Sequence, residues 1–196
     1  MSDRGTYVVI EGIDGTGKTE LSSRLVPVLL GRGHSVSSFR EPTDKFLRRQ
    51  FMRLLQIDPL AAALCLTVDR SLTRPLVERA LDHGDLVIQD RSYYSSLAYH
   101  FPGLPDESWR DLERIARELA LEPDLILYLD APVDLALKRV EGKGGPDLFE
   151  DETYLTRVKW KFDQMFQPPK WVRIDASGPV ERSLEQAVNA LLATGL

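Results

Sequence analysis

Nine consecutive residues, Glu11-Gly12-Ile13-Asp14-Gly15-Thr16-Gly17-Lys18-Thr19, have the types and spacing that handle phosphate. They fit the pattern G-x-x-x-x-G-K-[ST]. The glycines let the backbone close around an anion with its N–H groups turned inward. Lys18 can reach the β- and γ-phosphates of a nucleotide, and the Thr19 hydroxyl can ligate Mg2+. Other chemistry-bearing residues come in pairs. Asp90 ends an apolar run, where an acid either orients Mg2+ or caps the helix that follows. Arg91 suits an acceptor phosphate or a phosphoryl group in transfer, because a guanidinium stays charged and grips phosphate bidentately. The plainer alternative is a surface ion pair. Arg40 stands beside Glu41, and Arg70 beside Asp69. Ser96 and Tyr99 share a helix face and either read a small ligand or leave Tyr99 as half-buried core. Arg139, Lys143 and the stretch Gly142–Pro146 form either a lid carrying a cation to a phosphoryl group or an ordinary glycine turn.

The elements needed to position these residues can be read from apolar spacing. Tyr7–Ile10 is a strand leading into the glycine loop, and the helix after Lys18 ends near Gly31 and Gly33. Further strands are expected at His34–Phe39, Leu86–Asp90, Leu125–Asp130 and Trp171–Asp175. The helix after Asp44 should turn Phe46, Leu47, Phe51 and Leu54 inward. A long helical pattern from Pro59 to Leu81 should be kinked or divided by Pro75, which removes a backbone donor. Helices should also cover about Glu107–Leu121, Glu152–Phe166 and Val180–Leu192, with Pro132 just inside one running to Val140. Trp160, Phe162 and Phe166 read as core or interface. Strands alternating with helices predict an α/β fold: a central five-stranded parallel sheet covered on both faces. Ligands in such folds lie beyond the carboxyl ends of the strands. The glycine loop, Arg40-Glu41, Asp90-Arg91, Asp130 and Asp175 all fall at those ends.

A chain of 196 residues is expected to form one domain with a substantial core. Its formal net charge is −5, so no global basic field draws nucleic acid. The single cysteine, Cys65, excludes an internal disulfide framework and suits a reducing cytoplasm. No basic leader followed by an apolar run stands at the N-terminus, and no apolar stretch spans a membrane. A GTP switch would carry an Asn-Lys-x-Asp base reader, which is missing.

The ordered motifs Gly12–Thr19, Arg40-Glu41-Pro42, Asp69-Arg70, Asp90-Arg91 and Tyr93–Tyr99 resemble the thymidylate kinase family across nearly the whole chain. The Arg-Glu-Pro-Thr-Asp form looks most like archaeal-type members. The resemblance implies a three-layer P-loop NTPase fold and transfer of phosphate from ATP to dTMP with Mg2+. It also implies a cytoplasmic homodimer packed through helices. Gly12 to Thr19 and Arg139 would hold ATP, and Thr19 and Asp90 the metal. Asp14, Arg40, Glu41, Arg70, Arg91, Ser96 and Tyr99 would hold dTMP. Lys18, Arg91 and Lys143 would assist transfer, with a lid at about 141–150. Three departures stand out. Leu66 replaces an aromatic residue common in the family, His100 replaces a glutamine, and Asp147-Leu148-Phe149-Glu150 lacks an arginine. They leave two alternatives open: a kinase for another nucleotide or nucleoside, and a catalytically weak nucleotide-binding homologue.

Overall fold

A computed structural model of the chain describes residues 4–99, 106–141 and 151–195. Along them run β1 (Tyr7–Glu11), α1 (Lys18–Gly31), β2 (Val36–Arg40), α2 (Lys45–Leu55), α3 (Pro59–Asp82), β3 (Leu86–Asp90), α4 (Tyr93–Tyr99), α5 (Asp106–Leu119), β4 (Leu125–Asp130), α6 (Val133–Glu141), α7 (Glu152–Met165), β5 (Trp171–Asp175) and α8 (Val180–Ala193). The strands form one parallel sheet in the order β2-β3-β1-β4-β5.

Every residue of central strand β1 is buried, which is why its sequence is a run rather than an alternation. Val8 and Ile10 join a core with Leu21 and Leu25 of α1 and Leu191 of α8. Tyr7 and Val9 join the opposite core, with Val77 and Leu81 of α3 and Phe162 of α7. The sheet is therefore the middle of three layers, each face feeding a separate core. From β1 the chain goes out to β2, returns through β3, and then crosses to β4 on the other side of β1. The crevice above the carboxyl end of β1 is the switch point where such sheets hold ligands.

Several boundaries differ from expectation. Pro75 does not divide α3, which runs unbroken from Pro59 to Asp82. One missing donor is outweighed because this helix packs against α2, α5 and β3. Its start is fixed by the Asp58 carboxylate, which accepts from Leu60 and Ala61 N–H. β2 begins at Val36 rather than His34, and α5 stops at Leu119. Pro132 precedes α6, its carbonyl accepting from Ala136 N–H. In α2 the inward face is rotated: Phe46 is exposed, while Leu55 is buried and Phe51 and Leu54 pack on the core. Trp160 is 59% exposed, whereas Phe162 is fully buried. Cys65 is buried in α3. No helix among the described residues is long and apolar enough to cross a membrane.

Candidate active site

The glycine loop is shaped by its neighbours. A Cβ on Gly15, whose φ is +82°, would sit 2.1 Å from the Ala136 carbonyl oxygen, so only glycine seats the loop against α6. Gly17 has open space around it, and there the φ of +91° alone demands glycine. The Thr16 hydroxyl donates to Ile13 O at 2.8 Å and closes the turn. α1 starts at Lys18, so the unpaired N–H groups of its first turn and its dipole face the loop. Lys18 is buried, and its ammonium donates to the carbonyls of Gly12 (2.9 Å) and Ile13 (2.7 Å). Burial and the charge of Arg91 together lower its pKa to about 8, against the pull of Asp14, Asp90 and Glu11.

Arg91 is held over this loop in an uncommon conformation. Its φ is +70°, the one positive value at a non-glycine residue among those described. Its N–H donates to Ile10 O at 3.0 Å, and its carbonyl accepts from Gln89 Nε2 at 2.9 Å. Backbone strain of this kind persists only where the surroundings over-determine it, and it clusters at working sites. The guanidinium pairs with Asp14 and lies 5.4 Å from the centroid of the Tyr99 ring. The Tyr99 hydroxyl also donates to Asp14, at 2.8 Å. Burial pushes the Asp14 carboxyl up, but Arg91 and Lys18 outweigh it and hold it at about 2. The surface ion pair envisaged for Arg91 is thus a half-sheltered pair with a loop aspartate, inside the crevice.

The two readings of Asp90 are separated by Glu11. The Glu11 carboxylate accepts from Ser92 N–H (2.8 Å), Ser92 Oγ (2.7 Å), Ser95 N–H (3.2 Å) and Ser95 Oγ (2.6 Å). Glu11, not Asp90, therefore caps α4. One oxygen of Asp90 accepts from the Thr19 hydroxyl at 2.6 Å and lies 3.6 Å from Arg40 Nε. The other is buried with no hydrogen-bond partner among the described residues. A hydroxyl beside a buried carboxylate oxygen is a hard donor set of the kind Mg2+ takes. No group of three or more His, Cys, Asp or Glu side chains among the described residues could hold a metal by itself.

On the far wall, Glu41 accepts from Arg70 Nε (2.8 Å) and Nη2 (2.6 Å), and Arg70 Nη2 also donates to Ser96 Oγ (3.0 Å). The Asp69 carboxylate accepts from Thr43 and Asp44 N–H (2.8 and 2.9 Å), pinning the short loop before α2. Between these walls lies a cavity of about 770 Å³. Asp14, Gly15, Thr16, Gly17, Lys18, Thr19, Arg40, Glu41, Arg91, Ser96, Tyr99 and Arg139 border it. Gly12 and Ile13 lie beneath the loop and Asp90 behind Thr19. Arg70 stands behind Glu41 and Ser96, because its guanidinium is committed to them. Arg139 turns its guanidinium onto the carbonyls of Ala176 (2.7 Å), Ser177 (3.3 Å) and Gly178 (3.1 Å). Asp130 is locked by Lys159 (2.7 Å) and Arg173, and Asp175 by Arg182 (3.2 Å) and Ser177 N–H. Those two strand-end acids hold loops and do not border the cavity. Lys143, His100 and the predicted lid at about 141–150, beyond its first residue, lie outside the described residues.

Four residues on one face of α2 also border the cavity without having been singled out for it: Arg48, Phe51, Met52 and Leu55. Their i, i+3, i+4, i+7 spacing was the available signal. Burial and the nearby Arg48 and Arg91 loosen the proton of Arg40, against the pull of Asp90. Cations crowded on one side of a cavity favour an anionic occupant.

The sequence is similar to those of known proteins. A family model described as "Thymidylate kinase" matches residues 10–187. The "Probable thymidylate kinase" of Thermococcus gammatolerans is 33% identical over 183 residues, 86% of this chain and 80% of the relative. That of Thermoplasma acidophilum is 28% identical over 196 residues, 95% and 96% of the two chains. The "Thymidylate kinase" of Xanthomonas campestris pv. campestris is 35% identical over 199 residues, 98% and 86% of the two chains. The match runs from the end of β1 into α8, through every wall of the cavity, and the chain belongs to the thymidylate kinase family.

Proposed function

We propose that this chain transfers the γ-phosphoryl group of ATP to dTMP, giving ADP and dTDP, as one kinase domain. The observation that carries the reading is Arg91: strained, paired with Asp14, and facing the same cavity as Lys18 and Ser96. A phosphate oxygen of dTMP attacks the γ-phosphorus while the bond to the bridging oxygen of ADP breaks. The acceptor phosphate is already a nucleophile, so no base is required. Lys18 exchanges its loop carbonyls for donor phosphate oxygens, and Arg91 bridges the two phosphates and spreads the developing charge in this reading. Asp14 holds Arg91 in aim. Thr19 and Asp90 would hold Mg2+, which, when bound, neutralises charge on the donor phosphates. Arg139 fixes the loop from Ala176 to Gly178, against which the adenine end of ATP rests. Ser96 receives a hydrogen bond from Arg70 on one lone pair, which leaves its proton to donate to an acceptor atom of the pyrimidine. Lys143 is the lid cation in this reading. The single, buried Cys65 supports work in the reducing cytoplasm.

The test is ADP release with ATP and Mg2+ against dTMP, dUMP, dCMP and thymidine. Turnover that requires dTMP is expected. Saturable turnover of another acceptor with none of dTMP would overturn the assignment.

The same reading includes a second copy of the chain. Leu60, Leu64, Val68, Leu72 and Leu76 recur every four residues on α3, each between 37% and 59% exposed. A contiguous apolar stripe of this length supports a helix-to-helix interface. Leu72→Glu is expected to convert a two-copy particle into a one-copy particle in light scattering. A wild type that already scatters as one copy would sink the interface.

A further inference from the structure

We infer that Gln89 and Tyr7 are positioning residues for Arg91: the buried Gln89 amide, steadied by the Tyr7 hydroxyl, holds the strained backbone that aims the guanidinium. The inference rests on the reading of Arg91 above and extends it to two side chains that do not border the large cavity. Three observations carry it. First, Gln89 follows the apolar residues Leu86-Val87-Ile88 of β3 and is only 5% exposed. An amide buried there costs stability unless it is hydrogen-bonded. Residues two apart share a sheet face, so Gln89 lies on the face of Val87, beside Tyr7 and Val9 of β1. Both ends of the amide are used there. Nε2 donates to Arg91 O at 2.9 Å, and Oε1 accepts from the Tyr7 hydroxyl at 2.9 Å. A backbone carbonyl only accepts, so the amide nitrogen must face Arg91 and the amide oxygen must face Tyr7.

Second, the peptide plane after Arg91 is gripped from both edges. Its carbonyl takes the bond from Gln89, and its N–H, that of Ser92, donates to Glu11 at 2.8 Å. The plane before Arg91 is tied to β1 by the bond from Arg91 N–H to Ile10 O, at 3.0 Å. With a rigid plane fixed on either side, the φ of +70° at Arg91 is imposed from outside. Glu11 also caps α4, whereas the Gln89 amide donates to Arg91.

Third, Tyr7 is itself anchored. Its N–H donates to the Asp124 carboxylate and its carbonyl accepts from Asp124 N–H, both at 2.8 Å. Burial, with Glu41 and Glu11 nearby, pushes the Tyr7 hydroxyl well above its usual range, against the pull of Arg70. It therefore keeps its proton and stays a donor to Gln89.

The test is a mutant cycle on kcat, read as ADP release by the full chain at saturating ATP, Mg2+ and dTMP. Gln89→Met keeps the length of the side chain and removes both polar contacts. It is expected to lower kcat about tenfold with KM for ATP unchanged, because a misaimed group loses contacts made only in the transition state. In an Arg91→Ala background the same change is expected to cost no more than about twofold, because no guanidinium is left to aim. Tyr7→Phe, which keeps the ring in the core, is expected to lower kcat about threefold and to add nothing to Gln89→Met. An equal factor with and without Arg91 makes Gln89 a prop of the sheet and overturns the inference, as does a wild-type kcat in Gln89→Met. If Gln89→Met does not fold, Tyr7→Phe with and without Arg91 decides in the same way. Arg91→Ala that turns over within about tenfold of the wild type overturns the reading of Arg91, and this inference with it. A crystal structure of the variant, Gln89→Met or Tyr7→Phe, decides whatever the acceptor is. Arg91 is expected to leave its positive φ and its contact with Asp14, and an Arg91 that keeps both overturns the inference alone.

Discussion

Replacing Arg91 with alanine is expected to lower kcat about a thousandfold, the order seen when an arginine that stabilises a transferring phosphoryl group is removed. The expectation follows from three features of the site. The guanidinium is held by Asp14, braced by Tyr99, and carried on backbone that an ordinary residue avoids. Lysine should not rescue it, because a point charge cannot bridge two phosphates as a planar fork can. A second variant separates chemistry from stability. Arg91→Gly removes the same guanidinium but accepts a φ of +70° without strain, so it should unfold at higher denaturant than Arg91→Ala by about 1 kcal/mol. Both should be equally inactive in a coupled assay of ADP release. Turnover by Arg91→Ala within tenfold of the wild type would remove Arg91 from the transfer step.

The phosphate loop was legible because its rule is local. Glycines at Gly15 and Gly17, and a lysine opening α1, fall in one short stretch and can be recognised there, even though Ala136 closes on Gly15. The strands were legible for a related reason, since a sheet buried on both faces leaves runs such as Leu125–Leu129 that need no partner to be recognised. What stayed hidden depended on partners distant in the chain. The contacts of Arg139, an ATP-side residue by resemblance, depend on the carbonyls of Ala176, Ser177 and Gly178 nearly forty residues away. Asp130 sat at a strand end like Asp90, yet Lys159 from α7 and Arg173 from β5 claim it. Asp90 was ambiguous because the true cap of α4 is Glu11, about eighty residues earlier. Phe51 was read as plain core because periodicity tells which residues share a face, not what that face meets. Pro75 misled in the opposite direction. A local penalty was given its full weight where packing along α3 overrides it.

The largest structural effect is expected at Arg70 and Glu41, where the same pair supports fold and selectivity. Each is only 6% exposed, and two hydrogen bonds join them. Arg70→Leu would leave a buried carboxylate with no counter-charge, close to the still more deeply buried Asp69, whose own pKa burial already raises. Breaking a buried pair from one side costs roughly 3–5 kcal/mol, so this variant should be strongly destabilised in denaturant titration. The double variant Arg70→Met with Glu41→Leu removes both charges and should recover most of that loss. It should not recover selectivity. In the wild type, Arg70 donates to the Ser96 oxygen and takes one of its two lone pairs, which favours donation of the serine proton to an acceptor such as the O4 carbonyl of thymine. Without Arg70 the Ser96 hydroxyl can turn and accept, which suits the amino group of cytosine equally well. The ratio of kcat/KM for dTMP over dCMP should therefore fall by about tenfold or more in the double variant, while stability stays near that of the wild type. A double variant that is stable and still discriminates as the wild type does would reduce Arg70 to a structural counter-ion and pass the reading of the base to other groups in the cavity.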